Sequence, residues 1–373
     1  FKEAFQKAVR SLEIGRAGLG RVKKLEALTT PELREKITYG NSERFFQIYE
    51  LLRRGVTVEE IVKLTRITPF FIEQMKELAD FDFSLDGQDW DSLPVETLRQ
   101  AKKMGFSDKY LAQIFNVPEK AIRTRRQENG ITAAYRIVPV SGVEHAEYYY
   151  STYSGAEDEV PVNDKKKIMI LGGGPNRIGQ GIEFDYSSVH CVQTLKELGY
   201  DVVIINNNPE TVSTDYDTAD RLYFEPLTPE DVMGVIEVEH PVGVVVAFGG
   251  QTAIALTEFL DQQGIPILGT SADGIDMAED RGRFDALLED LGIRRPKGMS
   301  VTTLEEALDA SEALGFPVLL RPSYVIGGQN MVIAHGREDV EKYMGVILSG
   351  GIKNDVLVDK YMPGTELEVD VIS

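Results

Sequence analysis

The sequence is poor in the residue types that build disulfide frameworks and metal centres. It holds one cysteine, Cys191, and four histidines among 373 residues. A single cysteine cannot form an internal disulfide or a paired-cysteine metal or redox motif. No apolar run approaches the roughly 18 residues of a transmembrane helix, and no signal peptide is recognisable. We therefore predict a protein of the reducing cytoplasm without a membrane partner.

Basic side chains are also fewer than acidic ones. The chain has 40 Lys and Arg against 60 Asp and Glu, a net charge of −20, which argues against nucleic acid as the main partner. Residues 1–150 carry 24 basic and 22 acidic side chains, whereas residues 151–373 carry 16 and 38. The hydrophobic pattern changes at the same point, so we predict two or three domains. Because the chain starts at Phe1 and stops within an alternating run, we interpret it as a fragment.

The first 150 residues are patterned as helices. Thr29 and Glu32 have the spacing of a capping box, in which each residue satisfies a backbone N–H of the first turn. A helix is predicted over Glu43–Arg54, and two further helices are predicted to begin at Thr57 and Thr68. A loop is predicted at Asp80–Pro94 and a linker at Ser141–Asp164.

An internal repeat with an offset of 50 residues relates Gly55-Val56-Thr57 to Gly105-Phe106-Ser107. Each copy is patterned as helix, turn, helix. One interpretation is a DNA reader whose base contacts are Arg123, Arg125 and Arg126. The other is a pair of packed helical hairpins, which the nearly neutral charge of this region favours.

From residue 167 onward, short strands alternate with helices, a pattern typical of a doubly wound parallel sheet. Ligands of such sheets lie at the carboxyl ends of the strands. Three loops are predicted at those ends: Gly172–Gly181, Asn206–Asp217 and Gly249–Gln251. The first is not a dinucleotide fingerprint, because Arg177 stands where the third glycine is needed.

After Ala278 the pattern changes again. A predicted strand ends at Arg321, and a loop with Gly327 and Gly328 precedes the next strand. Arginine offers a forked donor for phosphate oxygens, and glycines allow backbone N–H groups to approach them. This stretch is a candidate polyphosphate site. The alternative, that Arg321 is an ordinary surface arginine at the end of a strand, stays open.

Several long motifs resemble those of one enzyme family. They are IMILGGGPNRIGQGIEFDY at 168–186, NPETVSTDYD at 208–217, GGQT at 249–252, AEDR at 278–281 and RPSYVIGG at 321–328. In length and order they are similar to the second half of the large chain of carbamoyl phosphate synthetase, an ATP-grasp ligase. The segment 5–13 resembles the tail of the first half of that chain. The resemblance covers almost the whole sequence but only part of a family large chain.

The resemblance implies an α/β fold with a helical N-terminal domain, a doubly wound parallel pre-ATP-grasp domain and the first part of an ATP-grasp domain. The implied division is 1–21 for the tail of the first half, 22–150 for the oligomerisation domain, 151–166 for a linker, 167–278 for the pre-ATP-grasp domain and 279–373 for the truncated ATP-grasp domain. In this family the glycine loops of the pre-ATP-grasp domain need not bind nucleotide.

The implied activity is ATP-dependent phosphorylation of carbamate to carbamoyl phosphate, which feeds pyrimidine and arginine biosynthesis. Ammonia would come from a glutaminase small subunit, and the helical domain would self-associate. The implied site residues are Arg281 and Arg321 at the phosphates, Gly327 and Gly328 in the lid, Lys360 and Met362 beside adenine, and Glu366 at the ribose. Glu368 is an alternative to Glu366, because the spacing at Pro363–Thr365 departs from the family.

The implied cofactors are ATP, Mg²⁺ or Mn²⁺, and K⁺. Their metal ligands follow position 373 in the family, so we expect the chain alone to be inactive. Two alternatives stay open: another ATP-grasp carboxylase, or a non-catalytic helical oligomerisation or DNA-binding module. The runs at 168–186 and 208–217 argue against the first, and Arg281 and Arg321 argue against a degenerate site.

Overall fold

The computed structural model describes residues 1–373 except 144–145, 156, 162, 176–181, 323–330, 350–355, 366, 368 and 370–373, and describes the backbone alone at 281, 322 and 346–349. The chain forms two compact units. The first contains Phe1–Asn176 and Gln180–Ala272, and the second contains Asp273–Ser373. No helix of the described ranges has the length and apolar character needed to cross a bilayer.

The first unit begins with a helical region. Its helices are α1 (Lys2–Ser11), α2 (Lys23–Glu26), α3 (Thr30–Ile37), α4 (Arg44–Arg53), α5 (Val58–Thr65), α6 (Pro69–Ser84), α7 (Val95–Lys103), α8 (Asp108–Phe115) and α9 (Glu119–Glu128). The capping box of Thr29 and Glu32 is confirmed. The loop predicted at Asp80–Pro94 is wrong over its first five residues, because α6 continues to Ser84 and buries Ala79 and Asp82 on its inner face.

The repeat consists of two helical hairpins, α5–α6 and α8–α9. The side chains of Thr57 and Ser107 accept the backbone N–H three residues further on, at the start of each first helix. Each first helix then ends on a residue in the left-handed conformation, Arg66 or Asn116. The hydrophobic faces of both hairpins join one core with α3 and α4. The packed-hairpin interpretation of the repeat is therefore confirmed.

Two threonines of the first hairpin offer a matched test of capping. Thr57 Oγ1 accepts the N–H of Glu60 at 3.2 Å, whereas the side chain of Thr68, which precedes α6, makes no capping bond. We expect Thr57→Ala to lower the free energy of unfolding by about 1 kcal/mol, the usual value of an N-cap. Thr68→Ala is the control and should change it by much less. Urea unfolding measures both, and equal losses would contradict the assignment.

The rest of the first unit is built on a seven-stranded sheet. Its strands are β1 (Ala134–Ile137), β2 (Tyr148–Thr152), β3 (Lys167–Leu171), β4 (Asp201–Ile205), β5 (Arg221–Tyr223), β6 (Gly243–Val245) and β7 (Ile267–Leu268), in the order β1-β2-β5-β4-β3-β6-β7. Helices α10 (Ile182–Glu197), α11 (Pro229–Glu239), α12 (Gly250–Ile254) and α13 (Thr257–Gln262) connect or follow them. Strands β2 to β7 pair in parallel, which confirms the predicted doubly wound sheet.

Strands β1 and β2 lie before the predicted start of the α/β region, where no strand was predicted. β1 pairs antiparallel with β2, and β2 pairs in parallel with β5. β2 falls inside the predicted linker Ser141–Asp164, where Tyr149 and Ser151 are buried and alternate with more exposed neighbours. The stretch before the predicted α/β start at residue 167 therefore extends the sheet.

A buried network of charges ties the helical region to α11. Lys102 Nζ lies 2.6 Å from Glu230 Oε1 and 2.9 Å from Asp108 Oδ1. Arg126 Nε lies 2.8 Å from the other oxygen of Asp108, and the hydroxyl of Tyr153 donates to Glu230 at 2.9 Å. Burial would raise the pKa of Glu230, but the charges of Lys102, Arg126 and a third arginine outweigh it and hold that pKa well below its usual range.

The second unit is an α/β layer of its own. A four-stranded sheet has the order β10 (Val332–Ala334), β9 (Val318–Pro322), β11 (Val356–Lys360) and β8 (Gly298–Val301), with every pair antiparallel. Its helices are α14 (Ala272–Glu279), α15 (Arg281–Asp290), α16 (Leu304–Leu314) and α17 (Arg337–Ser349). Apolar residues of α16 and α17 and the sheet form its core. Strand β8 was not predicted.

Candidate functional site

The described parts of the three loops predicted at the carboxyl ends of the parallel strands come together. They meet beside β3, where the strand order changes direction. The cavity between them has a volume of about 20 Å³ and is lined by Gly173, Gly174, Pro175, Phe184, Asp185, Asn206, Asn208, Thr211, Gly249 and Gly250. That volume holds about one water molecule and no nucleotide.

Close backbone packing explains the glycines of these loops. Asn206 Oδ1 accepts the backbone N–H groups of Gly174 and Asn208, both at 3.2 Å. A Cβ atom at Gly172 would lie 2.6 Å from Asn206 Cγ, and one at Gly249 would lie 2.5 Å from a backbone oxygen of β3. Gly172 and Gly249 are therefore required by the approach of one loop to another, which favours a structural role for this edge of the sheet.

Sequence reasoning missed a carboxylate at the same edge. Glu13 follows α1, has a φ of +52°, and accepts the hydroxyl of Thr252 at 2.7 Å through Oε2. Two residues earlier, the carbonyl of Ser11 accepts the side-chain amide of Asn207 at 3.0 Å. The segment after α1 is thus anchored on the loops of the sheet. No periodicity links positions 240 residues apart, so the sequence alone offered no signal.

The predicted phosphate-binding Arg321 lies near the end of β9 in the second unit. Its side chain is 42% exposed, and its Nε lies 3.1 Å from Asp359 Oδ2 on the neighbouring strand β11. Arg321 pairs with Leu357 and Asp359 with Leu319, so Arg321 and Asp359 are diagonal neighbours on one face of the sheet. An exposed guanidinium held by one carboxylate is suited to bind an anion with its remaining donors.

The predicted adenine-bordering residues lie at the end of β11. Lys360 Nζ donates to the carbonyls of Gly315 at 2.7 Å and Phe316 at 3.1 Å, and so anchors the turn between α16 and β9. Two of the three N–H donors of its ammonium group are therefore engaged by the protein. Met362 follows with 67% of its surface exposed. The resemblance implies that nucleotide contacts at this position use backbone groups, and the roles of Lys360 and Met362 stay predictions.

The remaining predicted site residues lie outside the described residues. These are Gly327, Gly328, Glu366 and its alternative Glu368. Arg281 is described by its backbone only, at the first position of α15. The residue before it, Asp280, caps that helix by accepting the N–H of Arg283 at 2.8 Å. Asp280 thus has a structural role at a helix N-terminus.

The described residues do not fit a magnesium or manganese site. No group of three or more His, Cys, Asp or Glu side chains within those ranges is arranged to hold a metal ion. A carboxylate such as Asp359, already bound to an arginine, is a poor substitute for the oxygen cluster that a hard cation prefers.

The three arginines of α9 are not available as base contacts. Arg123 is 6% exposed and its guanidinium lies 4.9 Å from the ring centroid of Phe259. Arg126 is 4% exposed and pairs with Asp108. Arg125 donates to two carbonyls of the loop before α7. The interpretation of these residues as a DNA-reading surface is wrong, because all three side chains hold the domain together.

Three family models match the chain. The carbamoyl-phosphate synthetase large chain oligomerisation domain matches residues 1–130, the carbamoyl phosphate synthase preATP-grasp domain matches 164–277, and the carbamoyl-phosphate synthase L chain ATP binding domain matches 280–373. The described fold has a helical, a parallel α/β and a second α/β part in the same order.

Relatives with a similar sequence carry the name of the same enzyme chain. A carbamoyl phosphate synthase large chain of Clostridium botulinum (strain Alaska E43) is 49% identical over 376 residues, and one of Archaeoglobus fulgidus is 48% identical over 380. Each match covers 100% of this chain and 35% of the relative, so the chain spans about a third of their length. A biotin carboxylase domain of Hydrogenobacter thermophilus 2-oxoglutarate carboxylase, solved with MgADP and bicarbonate, is 22% identical with a TM-score of 0.41, and the match covers 53% of this chain and 44% of that one. On the family models and the relatives, the chain belongs to the carbamoyl phosphate synthase large chain family.

Proposed function

We propose that the second unit is the beginning of the ATP-grasp domain that phosphorylates carbamate in the second half of the large chain. The observation that carries this proposal is Arg321. It lies near the end of a central strand, exposes 42% of its side chain and is held by Asp359. It also lies within the stretch matched by the ATP-binding family model. The domain division at 1–21, 22–150, 151–166, 167–278 and 279–373 is part of the proposal.

Phosphoryl transfer demands charge neutralisation and alignment more than covalent chemistry. In this proposal Arg321 and Arg281 donate hydrogen bonds to phosphate oxygens, and they stabilise the charge that spreads over the transferred group. Gly327 and Gly328 cover the phosphates with backbone N–H groups. Lys360, Met362 and Glu366, or Glu368 in its place, hold the nucleoside.

The activity of the complete protein belongs to the same proposal. A glutaminase subunit would supply ammonia, the first half of the chain would form carbamate, and the helical region would mediate self-association. Carbamate is unstable in water, so an enclosed route between the two halves makes physical sense. The pathways would be pyrimidine and arginine synthesis in the cytoplasm, with K⁺ and Mg²⁺ or Mn²⁺ bound elsewhere in the complete chain.

The reverse half-reaction tests the proposal without glutamine or bicarbonate. A full-length large chain containing this sequence is mixed with carbamoyl phosphate and MgADP, and ATP is followed with a coupled luciferase assay. We expect ATP to form with carbamoyl phosphate and not with acetyl phosphate. The 373-residue chain alone is expected to form none. Absence of ATP from the full-length protein, or equal rates with the two phosphates, would overturn the carbamate assignment.

A further inference from the structure

Asp359 lies on the central strand β11, where its backbone is fixed from both sides. It pairs with Leu319 of β9 on one side and with Gly298 of β8 on the other. Its side chain is only 11% exposed, whereas that of Arg321 is 42% exposed. Its partner on β8, Gly298, has no side chain. The ion pair thus joins a fixed, shielded anion to a cation that faces solvent.

The contact engages one part of the guanidinium. Asp359 Oδ2 accepts from Arg321 Nε at 3.1 Å. Among the contacts of the described residues, none engages the terminal Nη1 and Nη2 groups of Arg321. These two nitrogens carry four of the five N–H donors of arginine, and a phosphate group can accept from both at once. A carboxylate at Nε therefore orients the side chain and, within the part of the chain that the structure describes, leaves the Nη donors open to an anion.

We infer that Asp359 is a positioning residue, which holds Arg321 so that its terminal nitrogens meet the nucleotide phosphates. An unrestrained arginine would lose side-chain conformational freedom when it binds, and that loss weakens binding. A pre-oriented donor also needs no reorganisation when charge develops on the transferred group. The inference rests on the proposed nucleotide role of Arg321.

The competing explanation is that the pair only braces the sheet. Partly exposed ion pairs contribute little to stability. An ion pair with a purely structural role would change the free energy of unfolding and not the affinity for nucleotide. The two explanations differ in one respect: a positioning residue acts through Arg321, so its removal should have no effect once Arg321 is gone.

A double-mutant cycle separates them. Asp359→Asn, Arg321→Ala and the double variant are made in a full-length large chain containing this sequence. ADP affinity is measured by titration calorimetry. The kcat/KM for ADP is measured in the formation of ATP from carbamoyl phosphate. The Tm is measured by calorimetric unfolding. We expect Asp359→Asn to weaken ADP binding and kcat/KM by about tenfold, the size of one coupled polar contact, with Tm nearly unchanged. In the Arg321→Ala background the same change should have no further effect.

Additive losses in the double variant, or Asp359→Asn values within twofold of wild type, would overturn the inference. Asp359→Glu is the second variant, since it keeps the charge and should recover part of the ADP affinity. If the wild type binds ADP but forms no ATP from carbamoyl phosphate, the proposed function fails while the calorimetric cycle still decides the role of Asp359. If the wild type does not bind ADP, both fail.

Discussion

Replacing Arg321 with alanine is expected to lower the rate of ATP formation from carbamoyl phosphate and MgADP by about 10²- to 10³-fold, the usual effect of removing one preorganised donor to developing charge. The side chain is exposed and makes one described ion pair, so its removal should leave the sheet intact. The rate is measured in a full-length large chain containing this sequence, and circular dichroism checks folding. Arg281→Ala is expected to act in the same direction.

A surface arginine of the same unit provides the control. Arg337 is 58% exposed and pairs with Glu312 and Glu341 on the outside of α17. Arg337→Ala should leave the rate within twofold of wild type, because exposed ion pairs contribute little. If Arg321→Ala were as active as Arg337→Ala, Arg321 would be an ordinary surface residue and the proposed nucleotide site would lose its main support.

The order of helices and strands was largely predictable where one signal dominates. The capping spacing of Thr29 and Glu32 is a local signal, and it is confirmed. The short strands β1, β5 and β8 were missed, because three or four residues carry too little periodicity to reveal a strand. The strand β2 was missed for another reason. Its tyrosine-rich sequence is stabilised by pairing with β5, some 70 residues away.

The candidate site also contains residues that have a local sequence signal and residues that have none. Arg321 was predicted as a site residue because it ends a predicted strand, precedes glycines and matches a family motif. Asp359 was not found, because its relation to Arg321 depends on the register of β9 against β11, which no local pattern specifies. Glu13 was missed since its contact with Thr252 joins distant parts of the chain. The predictions at Gly327, Gly328 and Glu366 stay predictions.

The buried network at α11 leads to a second large effect, on stability. Lys102 is 1% exposed, and its ammonium group contacts Glu230, Asp108 and the carbonyl of Phe106. Lys102→Met keeps most of the side-chain volume but leaves buried carboxylates without their main counter-charge. We expect the free energy of unfolding to fall by about 3–5 kcal/mol, as when one partner of a buried ion pair is removed. Urea unfolding of the 373-residue chain at pH 7 measures the loss.

The matched control is the next residue, Lys103, which is exposed. Lys103→Ala should change the stability by less than about 0.5 kcal/mol. The pH dependence gives a further check, because the pKa of Glu230 is lowered on folding. A lowered carboxylate pKa contributes stability above the unfolded pKa, and that stability is lost as the pH falls through the folded value. Lys102→Met should weaken this dependence on the acid side, so its deficit should shrink as the pH is lowered from 7. A deficit that stays constant with pH would show that lost packing, rather than an uncompensated charge, causes the loss.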